Sequence, residues 1–168
     1  MLISLNWLKE FISLSNISPE EIKDKLTAHT VEVEGIVNQK DQFKNVVIAE
    51  ITEIKKHPQA DKLQIAIVKT DSEDNIKVVC GAPNIAVGQL VPLAKIGTIL
   101  PNGLEIKKAE IRGEESNGML CAEDELGLGN NHDGIMILDK KAKLGQNIAE
   151  YLELNETILE VDNKSISN

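Results

Sequence analysis

The stretch His57-Pro58-Gln59-Ala60-Asp61-Lys62-Leu63 joins two runs of two-residue period, and Val79-Cys80-Gly81-Ala82-Pro83-Asn84 follows it at a short distance. Before it, Val46, Ile48 and Glu50 alternate with Val47, Ala49 and Ile51 in a run reaching Ile54. After it, Leu63, Ile65 and Ile67 share one side of a run ending at Val68. Such alternation marks half-buried strands, so the seven residues read as a turn between two of them. Pro58 fixes one φ angle, and the Asp61 carboxylate can accept hydrogen bonds from nearby backbone N–H groups. The turn is therefore expected to be held by its own chemistry.

Outward from this turn, punctuation recurs at short intervals between about Gln39 and Tyr151: Asp74-Asn75, Pro83-Asn84, Gly88, Gly97, Pro101-Asn102-Gly103, Gly113, Gly118, Gly127 and Gly145. Short strands broken this often indicate a small barrel. Asn102-Gly103, set between Thr98-Ile99-Leu100 and Leu104-Glu105-Ile106, is a hairpin signal. The first 37 residues read differently. Ile3 and Leu5 suggest a short strand, and Trp7, Leu8, Phe11 and Ile12 recur at helical spacing. Ser18-Pro19-Glu20-Glu21 is a capping box opening a helix to about Ala28. Val31 to Val37 then reads as a strand, as does Thr157 to Val161 near the other end, and neither can bury much alone. Pairing them completes a small α+β unit.

The two segments of the first paragraph, with Ser116-Asn117-Gly118-Met119-Leu120-Cys121-Ala122, resemble the tRNA-binding OB-fold module carried by several aminoacyl-tRNA synthetases. The opening Met1-Leu2-Ile3-Ser4-Leu5-Asn6-Trp7-Leu8-Lys9-Glu10-Phe11, the run Val31 to Ile36 and the closing Val161-Asp162-Asn163-Lys164-Ser165-Ile166-Ser167-Asn168 resemble the β-chain family of bacterial phenylalanine–tRNA ligases. The resemblance spans the whole chain. It implies a mainly β fold with an α+β part: a five-stranded OB-fold barrel, residues 39–151, inserted into a small, truncated α+β domain of residues 1–38 plus 152–168. It further implies an N-terminal piece of a longer subunit, which pairs with a catalytic α chain in an α2β2 enzyme. That enzyme joins phenylalanine to its tRNA with ATP and magnesium, and its reaction centres lie beyond this stretch. The piece itself is expected to have no activity and no cofactor.

At 168 residues and 42% hydrophobic content the chain can bury a core. Only Trp7, Phe11, Phe43 and Tyr151 are aromatic, so the core is aliphatic and there is no platform for stacking unpaired bases. Two cysteines without a CxxC, no signal peptide and no apolar run of membrane-spanning length point to a reduced, cytoplasmic protein away from membranes. The formal charge of −9 is unlike that of a nucleic-acid binder. It is segregated, however: residues 40 to 112 hold eleven cations against nine acids, whereas 113 to 139 hold seven acids and no Lys or Arg.

Candidate tRNA-binding residues follow from the resemblance and from this distribution: Lys55, Lys56, His57 and Lys62 about the turn, Asn84, Lys95, Lys107 and Arg112, and Ser116 and Asn117. Lysine is a point charge suited to phosphate and reads no base. Each candidate has a plainer reading, as a solvated cation or, for Ser116 and Asn117, as part of a turn. Cys80 has no neighbouring base or helix terminus and reads as a buried structural thiol. A zinc site from His57, Cys80, Cys121 and His132 matches no paired ligand spacing. Glu123, Asp124 and Glu125 read as a solvated loop. The expected role is auxiliary, sequence-independent contact with tRNA. The alternatives are a structural protein-interaction scaffold within the synthetase and a free-standing tRNA-binding chaperone.

Overall fold

The computed structural model describes residues 1–154 and 156–162. The chain divides into two compact units, one of residues 1–41 with the described residues from 153 on, the other Gln42–Leu152. The remainder of the closing motif, from Asn163, lies outside the described residues.

In the smaller unit, strand β1 (Leu2–Ser4) and strand β2 (Glu32–Asn38) flank strand β10 (Thr157–Asp162) in an antiparallel sheet of order β1-β10-β2. Leu5, Val33, Leu159 and Val161 form its buried centre, drawing on both ends of the sequence. Ser18 caps helix α2 (Pro19–His29) by accepting from the Glu21 N–H at 3.1 Å, with Pro19 in the first turn. The capping box is only half realised in the described bonds, because the Glu21 carboxylate pairs forward with Lys25 at 2.9 Å. The helical spacing at Trp7, Leu8, Phe11 and Ile12 overstated both length and burial. Helix α1 covers only Leu5–Leu8, and Trp7, Phe11 and Ile12 are exposed, the two rings stacked edge to face on the surface.

The larger unit follows a short helix α3 (Gln39–Gln42) and contains strands β3 (Val46–Lys56), β4 (Gln64–Lys69), β5 (Ile76–Cys80), β6 (Leu90–Lys95) and β9 (Gly118–Leu120). They form one five-stranded antiparallel sheet of order β5-β4-β3-β6-β9. A separate hairpin of β7 (Ala109–Ile111) and β8 (Glu114–Ser116) precedes β9, and helix α4 (Ile148–Tyr151) packs on β3. The long β3 makes the sheet curl, because it pairs with β6 through Val46–Glu50 and with β4 through Glu50–Lys56, with a bulge between Ile51 and Glu53. Bulges of this kind sharpen local twist and help a sheet close.

The interior is small and aliphatic: Ala49, Ile51, Ala66, Val68, Val78, Val91, Leu93 and Leu120 are buried together. On β4 the inward side chains are thus Ala66 and Val68, and the Leu63-Ile65-Ile67 side faces away from this cluster. A narrow barrel has room for the smaller set. The residues at Asn102-Gly103 do turn the chain back, with Leu100 N–H donating to Leu104 O at 2.9 Å and Ile106 N–H to Thr98 O at 2.8 Å.

Two residues close the gap left between the ends of the sheet. The Val79 N–H on the outer edge of β5 donates to Ser116 Oγ at 3.0 Å, and the Lys77 C=O on the same edge accepts from the Asn117 N–H at 2.8 Å. A bare strand edge is a template for unwanted pairing. Here it is covered by the residues leading into β9, and Gly118 lets the strands approach: a Cβ there would lie 2.9 Å from the Ala94 carbonyl oxygen.

Candidate nucleic-acid interface

Residues 57–63 form the turn from β3 to β4, and its fastener is His57 rather than Asp61. His57 is 5% exposed. Its Nδ1 accepts from the Gln59 N–H at 3.1 Å, and its Nε2 lies 3.0 Å from the Ile111 carbonyl oxygen. A carbonyl can only accept, so Nε2 carries the proton and Nδ1 does not. Asp61 is exposed, and its carboxylate makes no hydrogen bond or ion pair among the described residues. The sequence placed a short polar acceptor at the turn, but the buried ring two residues from the acceptor's target does that work.

The same ring reaches the β7–β8 hairpin. Ile111 and Glu114 pair across a two-residue loop in which Arg112 has φ 49° and Gly113 φ 84°. Positive φ at both central residues is the type I′ pattern, which favours Asn or Gly at the first position. A Cβ on Gly113 would meet the Gln59 amide nitrogen at 3.5 Å, so the hairpin tip rests on the turn. In barrels of this kind the loop after the first strand and the one before the last flank the oligonucleotide face. His57 joins those two loops.

The predicted cations separate into two sets. Lys55 pairs with Glu53 at 3.1 Å and Lys107 with Glu105 at 2.7 Å, each with its nearest acid on the same segment. Lys95 pairs with Glu73 at 2.5 Å. Such exposed pairs contribute little to stability, yet each cancels a positive charge locally. Lys56, Lys62 and Arg112 are exposed and have no ion-pair partner among the described residues. Lys56 and Lys62 line one depression of about 280 Å³ with His57 and Asp61, and Arg112 sits on the hairpin that His57 holds against it.

Ser116 and Asn84 are engaged through their side chains in bonds within the fold, and Asn117 through its backbone. Ser116 is 3% exposed, and its hydroxyl, besides accepting from Val79, donates to Gly118 O at 3.0 Å. Asn84 spends its amide on Ile135, donating to its carbonyl at 2.8 Å and accepting from its N–H at 2.9 Å. Asn117 contributes its backbone N–H to the edge of β5. These partners lie far off in sequence, which is why the local pattern suggested free donors.

Glu123, Asp124 and Glu125 are half-buried rather than a solvated loop, and several acids of this segment are engaged. Glu114 bonds Lys77 of β5, Glu115 bonds Lys108 at 2.9 Å, and Glu125 accepts from the Ala122 N–H at 2.7 Å. The hydrogen bond from Lys77 holds the Glu114 carboxyl below its ordinary range, with a smaller contribution from the lysine's charge. Asp124 lies 2.6 Å from His132. Cys80 borders a cleft of about 330 Å³ and Cys121 is wholly buried. Burial raises both thiols, that of Cys121 to about 12, so neither is a thiolate at neutral pH. Of the residues considered for zinc, His57 and His132 are engaged as described, and no group of three possible ligands occurs among the described residues. No helix among them is long and apolar enough to cross a membrane.

A five-stranded antiparallel barrel with an unpaired basic group between its loops is the architecture of an oligonucleotide-binding module. Residues 46–147 match the family described as "Putative tRNA binding domain", and the chain belongs to that family. More particularly, over 161 residues it is 44% identical to the phenylalanine–tRNA ligase beta subunit of Syntrophus aciditrophicus (strain SB), covering 96% of this chain and 20% of that one. Over 165 residues it is 44% identical to the same subunit of Chlorobaculum tepidum, with the same coverage. The chain thus spans about a fifth of the length of the curated relatives it matches. Among solved structures, a MetRS related protein from Pyrococcus horikoshii superposes with a TM-score of 0.47 at 18% identity, covering 64% of this chain and 94% of that one.

Proposed function

We propose that this chain is the part of a phenylalanine–tRNA ligase β chain that gives sequence-independent contact with tRNA, through a barrel inserted in a small α+β domain. In this reading it assists a cytoplasmic α2β2 enzyme that attaches phenylalanine to its tRNA. ATP and magnesium serve reaction centres elsewhere in that assembly, and none is assigned to these residues. The observation that carries the reading is the sorting of charge. Six of the cations in the barrel unit are paired with acids, whereas among those without an ion pair Lys56 and Lys62 share the depression at the β3–β4 turn and Arg112 lies on the hairpin that His57 bonds to that turn.

Three phosphate contacts predict a shallow salt dependence, with log K falling by roughly 2 to 3 per decade of salt. Affinity for any tRNA belongs at the weak end of non-specific binding, on the order of 10⁻⁴ M. That is sufficient within a larger enzyme already holding the tRNA, because a tethered second contact acts at an effective concentration of about millimolar.

The test is a salt-titrated fluorescence anisotropy series with tRNA-Phe and an unrelated tRNA. Comparable binding of both, lost together when Lys56, Lys62 and Arg112 are replaced by Ala, is expected. Absence of binding at low salt would overturn the reading and favour the protein-interaction scaffold. A strong preference for tRNA-Phe would overturn sequence independence.

A further inference from the structure

The geometry points to His57 as a positioning residue for tRNA binding, one that presents Arg112 to phosphate without touching RNA itself. The inference rests on the reading above and extends it from which residues bind to how the site is assembled.

Two independent observations carry it. The first is the ring's double engagement. A buried imidazole takes the Gln59 N–H on one nitrogen and gives its proton to the Ile111 carbonyl on the other, at 3.1 and 3.0 Å. These two bonds tie the β3–β4 turn to the residue immediately before Arg112. Both ring nitrogens are thereby used, so the ring has no donor left for RNA.

The second is the backbone at Arg112. A long cationic side chain occupies φ 49°, in a turn position that a short polar residue or glycine would fill with less strain. It is exposed and forms no ion pair among the described residues. Nothing in the fold requires arginine there. An observed backbone outlier bearing a free charge is the kind of strain retained for a binding role. Ser116 on β5 holds the base of the hairpin, and Lys77 bonded to Glu114 holds the β8 side next to the loop, so the fold of β7 and β8 does not depend on His57 alone. The ring holds the Ile111 side, from which Arg112 extends.

The two amide isosteres separate the ring's functions. Asn at 57 presents an acceptor where Nδ1 stands and cannot reach Ile111, whereas Gln presents a donor where Nε2 stands. Salt-titrated tRNA binding is measured for the unaltered chain, His57→Asn, His57→Gln, Arg112→Ala and the pair His57→Asn with Arg112→Ala, with circular dichroism melts confirming each is folded at the assay temperature. Arg112→Ala is expected to weaken binding about tenfold and lower the salt slope by about 0.7–0.9. His57→Asn should do the same, the double variant should be no weaker than either single one, and His57→Gln should stay within about threefold of the unaltered chain.

A full-sized loss from Arg112→Ala in the His57→Asn background would overturn the inference while leaving tRNA binding intact. No binding by the unaltered chain would remove both. Should His57→Asn fail to fold, Arg112→Asn decides. It is expected to raise the melting temperature by about 2–5 °C and weaken binding, and an unchanged affinity would sink the role of Arg112 and the positioning with it.

Discussion

Replacing Ser116 by Ala tests whether this buried hydroxyl closes the barrel or reaches RNA. The side chain is 3% exposed and serves two backbone groups at once, accepting from Val79 N–H and donating to Gly118 C=O, both at 3.0 Å. Alanine leaves each without a partner on an edge that water reaches poorly. An unsatisfied buried group costs about 1–3 kcal/mol, so the pair costs roughly 2–4 kcal/mol after partial relaxation. For a unit of this size, that lowers the melting temperature by roughly 10–15 °C. A far-UV circular dichroism melt reads the loss, and tRNA anisotropy at a temperature where the variant remains folded reads binding, which should not change. A melting temperature within 2 °C of the original, or weaker binding by the folded variant, would refute the assignment of Ser116 to the strand edge.

Further outcomes follow from the same geometry. Asp61→Asn removes an exposed carboxylate from the depression shared by Lys56 and Lys62 and should tighten tRNA binding about two- to fivefold at low salt, with the difference vanishing near 0.5 M; weaker binding in anisotropy would count against the site. Asn84→Ala strands the N–H and C=O of Ile135 and should destabilise by about 2–4 kcal/mol in urea titration without changing tRNA affinity in the folded protein. Both thiols should resist iodoacetamide at pH 8 and react only on unfolding. Because the folded Cys121 pKa is raised to about 12, the stability it contributes is complete below the ordinary thiol range near 9 and is lost as pH rises toward 12, which an alkaline titration of Cys121→Ala against the parent would show. Glu114 behaves oppositely. Its folded pKa is lowered, so its contribution is present above the ordinary carboxylate value and fades as pH falls below about 4; Glu114→Gln should be less stable than the parent at pH 7 and equal to it in strong acid.

What the sequence revealed and what it hid divide by the range of the interaction. The Ser18 cap, the Asn102-Gly103 reversal and the β3–β4 turn are set by residues within a few positions of one another, and their patterns were plain. The roles of Ser116, Asn84 and His57 depend on backbone groups 37, 51 and 54 residues away, and no local pattern encodes those partners. The same distance concealed the sorting of charge, since Lys77 meets Glu114 and Lys95 meets Glu73 only once the barrel has formed. Periodicity misled at Trp7 and Phe11. Apolar spacing compatible with a helix says nothing of which side is covered, and these rings are exposed. On β4 the period of two showed which residues share a side but not which side faces the interior, and the narrow interior takes Ala66 and Val68.

The two ends of the barrel unit are bonded to each other: Asn147 donates to the Phe43 carbonyl at 2.7 Å, and Val47 bridges Asn147. For the small sheet, whose β2 and β10 pair although 118 residues of chain run between them, this has an entropic meaning. Closing a flexible loop of that length would cost about 4 kcal/mol beyond a minimal connection, by the logarithmic dependence of closure on length. Once the barrel has folded, its touching ends reduce that loop to a short link. Barrel formation should therefore precede and promote pairing of β2 with β10, so that protection of the small sheet in hydrogen exchange falls with any substitution that unfolds the barrel, however distant from β10 it lies.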